Sequence, residues 1–128
     1  MSVELNHTII WCTDKQRSAD FMTGILGLPP ARTFLHFLAV DLANNVSVDF
    51  LQKEGAVSPQ HYAFLVSDAE FDASMNRIGE LNVQYWADPA RMMPGEINTH
   101  YGGRGLYFED PDGHLLEIIT TPYGEGAP

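Results

Sequence analysis

The sequence predicts an α+β fold in which one strand–helix–strand unit occurs twice. Three observations point to it. Shifting the first half by 54 residues brings His7 onto His61 and Asp14 onto Asp68, so each half places a His near the start of a β-rich run and an Asp just past its end. In both halves a stretch with helical apolar spacing follows at once. Gly55-Ala56-Val57-Ser58-Pro59 then separates the copies, and each copy is too short to bury a sheet of its own. The expectation is one domain over residues 1–128, made of half-modules 3–53 and 59–122.

The first unit opens with Leu5-Asn6-His7-Thr8-Ile9-Ile10-Trp11-Cys12, whose β-branched and aromatic content reads as a strand. Thr13 and Asp14 offer a helix N-cap, and Ala19, Met22, Ile25 and Leu26 recur at helical spacing behind it. Gly27 followed by Pro29-Pro30 ends that helix. Strands are expected at about 32–42 and 46–52, joined by Asn44-Asn45, a pair that tolerates positive φ. The second unit repeats the plan: a strand at 60–66, a cap at Ser67 and Asp68, and a helical stripe of Phe71, Met75, Ile78 and Leu81. Strands at about 83–87, 105–109 and 114–121 follow, the last two joined by Asp110-Pro111-Asp112-Gly113, which suits a type I turn. Residues 88–104 form a long loop interrupted by Pro89, Pro94 and Gly95, and loops of that length inside a domain are usually functional.

Seventeen acidic residues against seven Lys and Arg give a net charge of −10, and the basic residues are scattered rather than striped. Such a surface repels phosphate backbones, so nucleic acid is not expected as a partner. No apolar run approaches the ~20 residues that cross a bilayer, and the start of the chain lacks a signal-peptide pattern. The one cysteine, Cys12, forms no internal disulfide and fits a reducing cytosol. A cytoplasmic protein without membrane contact is expected.

Strand alternation sorts the polar residues. His7 shares a face with Ile9 and Trp11, His61 with Ala63 and Leu65, and Glu117 with Leu115 and Ile119. With helices covering the other faces, His7, His61 and Glu117 can converge on the inner side of a curled sheet. A carboxylate between Leu116 and Ile118 needs a partner there, because an unpaired buried charge costs several kcal/mol. Two imidazoles and a carboxylate form a common site for one divalent metal ion (Fe, Mn, Ni, Co or Zn), with positions left open for substrate. Spacing alone does not separate this reading from that of hydrogen-bonded strand histidines.

Three stretches carry a family resemblance: Leu5-Asn6-His7-Thr8-Ile9-Ile10, Gln60-His61-Tyr62-Ala63-Phe64, and the run from Gly105-Leu106-Tyr107-Phe108-Glu109 through the DPDG turn to His114-Leu115-Leu116-Glu117-Ile118-Ile119. The last is the most specific. The chain resembles the vicinal oxygen chelate superfamily of glyoxalase I, extradiol dioxygenases, fosfomycin-resistance enzymes and bleomycin-resistance proteins. That resemblance implies two βαβββ modules in a curled mixed sheet around a central cavity. It further implies metal ligands at His7, His61 and Glu117, a small-molecule substrate and a homodimer. A glyoxalase-like site would add an acidic ligand where Asp49 stands, although Asp is one methylene shorter than Glu and could instead hold a ligand His from behind. The extradiol dioxygenases place a Tyr beside the metal about where Tyr107 lies.

Beyond the ligands, His100 at the end of the long loop is a candidate acid or base, and Arg104 a candidate clamp for a substrate carboxylate. Trp11, Met92 and Met93 could line an apolar pocket, with core packing as the plainer alternative. His114, directly after the turn, is expected to face solvent, and Cys12 to be buried on the helix side. The leading functional expectation is a metal-dependent enzyme, dioxygenase- or glyoxalase-like, acting on a small molecule that chelates the metal through its oxygens. The alternatives are a non-catalytic drug-binding protein of the bleomycin-resistance type and a fosfomycin thiol transferase. The latter needs a cationic cluster for a phosphonate, which this chain hardly supplies.

Overall fold

The computed structural model describes residues 2–124, and the chain divides at Ser58/Pro59 into two compact units. The first runs β1 (His7–Cys12), α1 (Lys15–Leu26), β2 (Arg32–Phe34), β3 (Phe37–Asp41) and β4 (Ser47–Gln52). Its four strands form a mixed sheet in the order β1-β4-β3-β2, with β1 parallel to β4 and the other pairs antiparallel. Asp14 caps α1 by accepting from the Arg17 amide at 3.1 Å, and Gly27 ends it at φ 69°, in the left-handed region that glycine adopts without strain. Ala19, Met22 and Ile25 are the buried face of the helix, which lies against β3 and β4. Ile10, Cys12, Leu38, Ala39, Val40, Val48 and Phe50 are the buried hydrophobic side chains of the strands, each worth about 1.5–3 kcal/mol when of Ile or Phe size. Cys12 is thus a buried small side chain, as its parity implied.

The expected strand at 32–42 is in fact a hairpin. Phe34 pairs with Phe37, and Leu35-His36 make the turn, with Leu35 at φ 54°. A Leu in that region costs energy and carries none of the Gly or Asn signal that marks such turns, so the pattern hid it. Splitting the strand supplies the third β element of a βαβββ module. The turn at Asn44-Asn45 forms as expected, with Asn45 at φ 63° and the Leu42 amide donating to Val46 O.

The second unit runs β5 (His61–Leu65), α2 (Asp68–Glu80), β6 (Tyr85–Trp86), one 3₁₀ turn (His100–Gly102), β7 (Gly105–Glu109) and β8 (Leu115–Ile119). Its sheet repeats the first, in the order β5-β8-β7-β6 with β5 parallel to β8. Ser67 and Glu70 form a reciprocal capping box at the start of α2. Phe71, Ser74 and Ile78 are its buried residues; Leu81 ends the helix and is 58% exposed, so it is not part of the packed stripe. The long loop is partly tied down: Gly95 N donates to Tyr85 O, and Asn98 and Gly105 exchange both backbone bonds.

The DPDG turn closes with Gly113 N donating to Asp110 O, while Asp110 Oδ1 accepts from the amides of Asp112 and His114. His114 does not face solvent. It is 1% exposed, its Nδ1 accepts from the Gln60 amide at 2.9 Å, and its ring meets Tyr62 edge-on. The turn aims it to the helix side of the sheet, where it ties the start of β5 to the hairpin. The fold is thus α+β, of two βαβββ units whose sheets are separate and four-stranded rather than closed into a barrel. Among the described residues, no helix is long and apolar enough to cross a membrane.

Candidate functional site

Parallel pairing of β5 with β8 sets His61 opposite Leu115 and Ala63 opposite Glu117, while antiparallel β7 sets Tyr107 opposite Glu117. Register partners share a face, so His61, Glu117 and Tyr107 stand together on the side away from α2. Glu117 is 1% exposed. His61 Nε2 lies 3.1 Å from Glu117 Oε1, and its Nδ1 lies 2.9 Å from Leu115 O. A backbone carbonyl can only accept, so Nδ1 carries a proton and donates. In the neutral ring Nε2 is then a lone pair facing a carboxylate oxygen. Two acceptors at that distance need a cation between them, either a proton on Nε2 or a metal ion.

Tyr123, from the tail beyond β8, donates to both Glu117 oxygens at 2.8 Å. Its hydroxyl proton is thereby engaged, so the Tyr107 hydroxyl, 3.4 Å away, donates to Tyr123. Tyr107 also stacks on His61 with centroids 6.0 Å apart. Burial, the Tyr123 contact and the nearby Glu117 charge push the Tyr107 hydroxyl far above its ordinary value, so it stays protonated as a donor. Burial likewise raises Tyr123, against the opposing effect of the Tyr107 bond.

In the first unit, His7 is exposed, with Nδ1 2.7 Å from Asn6 Oδ1. The arrangement parallels that of His61: the oxygen that fixes Nδ1 leaves Nε2 as the outward nitrogen. Asp49 lies opposite Ile9 on the His7 face of the sheet and accepts from Ser47 Oγ at 2.8 Å. Trp11 is on this face too, 44% exposed, with Lys53 Nζ 5.9 Å from its ring centroid.

The other candidates separate. His100 is exposed and meets the ring of Tyr101, which in turn tilts against Tyr123 at 5.6 Å. Met93 is 44% exposed in the long loop, its amide bonded to Asp88 Oδ1. Arg104 is turned the other way, onto α2. It binds Asp68 and Asp72 and covers the Phe71 ring at 4.5 Å, so its guanidinium is committed to the helix side instead of the Glu117 face. Tyr123 escaped the sequence reading because it follows the last strand, where alternation assigns no face.

The residues present fit a divalent cation in part within the second unit. Among the described residues no three His, Cys, Asp or Glu side chains cluster, yet His61 and Glu117 present adjoining N and O donors, each tied from behind by Leu115 O or Tyr123. Backing of this kind is typical of metal ligands.

Comparison with known proteins adds the family. Residues 4–118 match the profile of the Glyoxalase/Bleomycin resistance protein/Dioxygenase superfamily. The chain is 55% identical to the solved structure of Oxidase ChaP-H1, with a TM-score of 0.94, covering 96% of this chain and 99% of that one. It is 32% identical over 126 residues to Glutathione transferase FosA of Serratia marcescens, covering 92% of this chain and 81% of the relative. Metallothiol transferase FosB of Shouchella clausii is 36% identical over 87 residues; that match takes in 66% of this chain and about half, 53%, of the relative's length.

Proposed function

Since the chain belongs to the Glyoxalase/Bleomycin resistance protein/Dioxygenase superfamily, we propose that it is a metal-dependent, dioxygenase-like oxidase of a small organic molecule whose neighbouring oxygens chelate the metal. The observation that supports this most is the His61 Nε2–Glu117 Oε1 pair, two acceptors 3.1 Å apart on a buried carboxylate. His7, His61 and Glu117 are the proposed ligands of one divalent ion (Fe, Mn, Ni, Co or Zn), with Asp49 a further candidate. When bound, such an ion supplies Lewis-acid polarisation of substrate oxygens and, if redox-active, a route for electrons to dioxygen.

The chain's own groups do the rest. Glu117 supplies negative charge in a site it shares with two phenols. Tyr107, held protonated, donates to an oxygen of the bound molecule or to Tyr123. His100 is the proposed proton carrier at the loop end, and Trp11 and Met93 offer apolar surface. The oxidase neighbour at 55% identity favours oxidation over glyoxalase-type isomerisation. We further propose a cytoplasmic homodimer, which light scattering tests.

Thiol transfer to fosfomycin is the second reading, favoured by the names of the curated relatives. Against it, Arg91 is bound to Glu109 and Arg104 to Asp68 and Asp72, so neither guanidinium is turned to a phosphonate. Capture of a cationic drug without catalysis is the third. The deciding experiment is metal analysis of protein purified without chelators, then oxygen-electrode assays with a panel of hydroxylated aromatics and thiol-consumption assays with fosfomycin. Near-stoichiometric metal that His7→Ala and His61→Ala each lower, with oxygen uptake, is expected. Less than about a tenth of an equivalent, unaltered by either substitution, refutes the proposal.

A further inference from the structure

We propose that Tyr123 is a positioning residue for Glu117: its hydroxyl holds the carboxylate so that Oε1 and His61 Nε2 form the edge offered to the ion. This rests on the metal reading above. Glu117 is 1% exposed, and Oε1 has both His61 and Tyr123 as neighbours, whereas the bond described for Oε2 comes from Tyr123. A hydroxyl is a neutral donor, so it can orient a carboxylate without cancelling the charge that a cation needs.

The placement of Tyr123 is built by the chain around it. Thr120 N donates to Arg104 O at 3.0 Å, and Arg104 N donates to Thr120 Oγ1 at 2.8 Å, which zips the start of the tail to the end of the long loop. At Gly103 an added Cβ would lie 2.4 Å from Thr121 Oγ1, so only glycine lets that loop close on the tail. The ring of Tyr101, on a backbone at φ 58° that is strained for a non-glycine residue, then backs the ring of Tyr123. Three independent contacts within four residues, two of them demanding, bring a residue that is 59% exposed onto a buried carboxylate. A tail held merely for packing would not need its hydroxyl there.

The test is cobalt(II) titration of the metal-free protein, read by affinity and by the visible d–d absorption band. Tyr123→Phe keeps the ring and removes the donor. It is expected to weaken cobalt binding about tenfold and to shift the band, with the circular dichroism spectrum unchanged. Tyr123→Gly is expected to bind equally weakly and to regain affinity when p-cresol is added, a rescue that a packing role does not produce. Equal affinity and an identical band in Tyr123→Phe overturn the inference, as does tighter binding, which would mean that the hydroxyl competes with the ion. Failure of p-cresol to rescue Tyr123→Gly also counts against it. If the parent protein itself binds no cobalt, the functional reading falls and this inference with it; parent binding that Tyr123→Phe leaves unaltered overturns this inference alone.

Discussion

Replacing Glu117 by Gln changes charge at nearly constant shape, and the geometry predicts effects of opposite sign with and without metal. In the metal-free protein the carboxylate is 1% exposed and its Oε1 lies 3.1 Å from His61 Nε2, a contact that takes a proton between the two. A Gln amide nitrogen at the position of Oε1 donates to Nε2 of the neutral ring without that proton. Its oxygen, at the position of Oε2, still accepts from Tyr123 at the 2.8 Å of the parent contact. These two contacts survive and the Tyr123 bond to Oε1 is lost, while the desolvation cost of a buried charge, several kcal/mol before compensation, disappears. Allowing for partial compensation by the two phenols, Glu117→Gln should stabilise the apoprotein by about 1 kcal/mol, a rise in Tm of roughly 3–5 °C for a chain of this size. With metal the order reverses: the parent gains about 2.7 kcal/mol at a hundredfold excess over Kd, and the variant, lacking the anionic ligand, gains little. Differential scanning calorimetry of both proteins, in EDTA and then in cobalt, reads all four values. A variant less stable than the parent in EDTA refutes the reasoning, because it would mean that the carboxylate is held in a net favourable ion pair with a protonated His61.

Three further outcomes are expected. Ser67→Ala removes one half of the capping box, whose bonds are 2.8 and 3.1 Å, and should cost about 1 kcal/mol in urea denaturation. Gly103→Ala, at an ordinary negative φ, fails through contact rather than backbone strain, since its Cβ would meet Thr121 Oγ1 at 2.4 Å and Thr120 Oγ1 at 2.7 Å. It should cost about 1–3 kcal/mol and weaken cobalt binding as Tyr123→Phe does. Asp110 is held above its ordinary 3.8 chiefly by burial, against the pull of the His114 and Asp112 amides. The folded state therefore binds its proton more tightly than the unfolded chain. That contribution to stability is complete below the ordinary value and is lost as pH rises through the folded one. Asp110→Asn keeps the acceptor at Oδ1 and removes the titration. The Tm of the parent should thus fall relative to the variant as pH rises from about 3 to 7; parallel curves would refute it.

Much of the candidate site was legible because strand alternation is a strict rule. Alternation set His61 with Ala63 and Glu117 with Leu115, the family resemblance pointed to Tyr107, and the register of β5, β8 and β7 brings the three onto one face. His7 and Asp49 likewise share a face. Alternation stops at strand ends, and there the expectations failed. His114, placed in solvent by its position after a turn, is buried because the turn aims it inward. Arg104, placed near the site by its position before β7, faces α2, where Asp68 and Asp72 outbid any other partner. Leu35-His36 went unseen because a turn bearing Leu at positive φ contradicts local preference and is sustained by the pairing of β2 with β3.

The sequence by itself determined the repeat, the helix caps, the turn at Asp110–Gly113 and the faces of the paired strands. Apart from the repeat, which shows when the two halves are laid over one another, these are local: they depend on residues within a few positions of one another. Only the tertiary structure decided that Tyr123 reaches Glu117, that Gly103 makes room for Thr121, and that His61 is fixed through Leu115. Those contacts join segments whose spacing follows no period, so they come into being only when the sheet has set its register and the tail has folded back upon it.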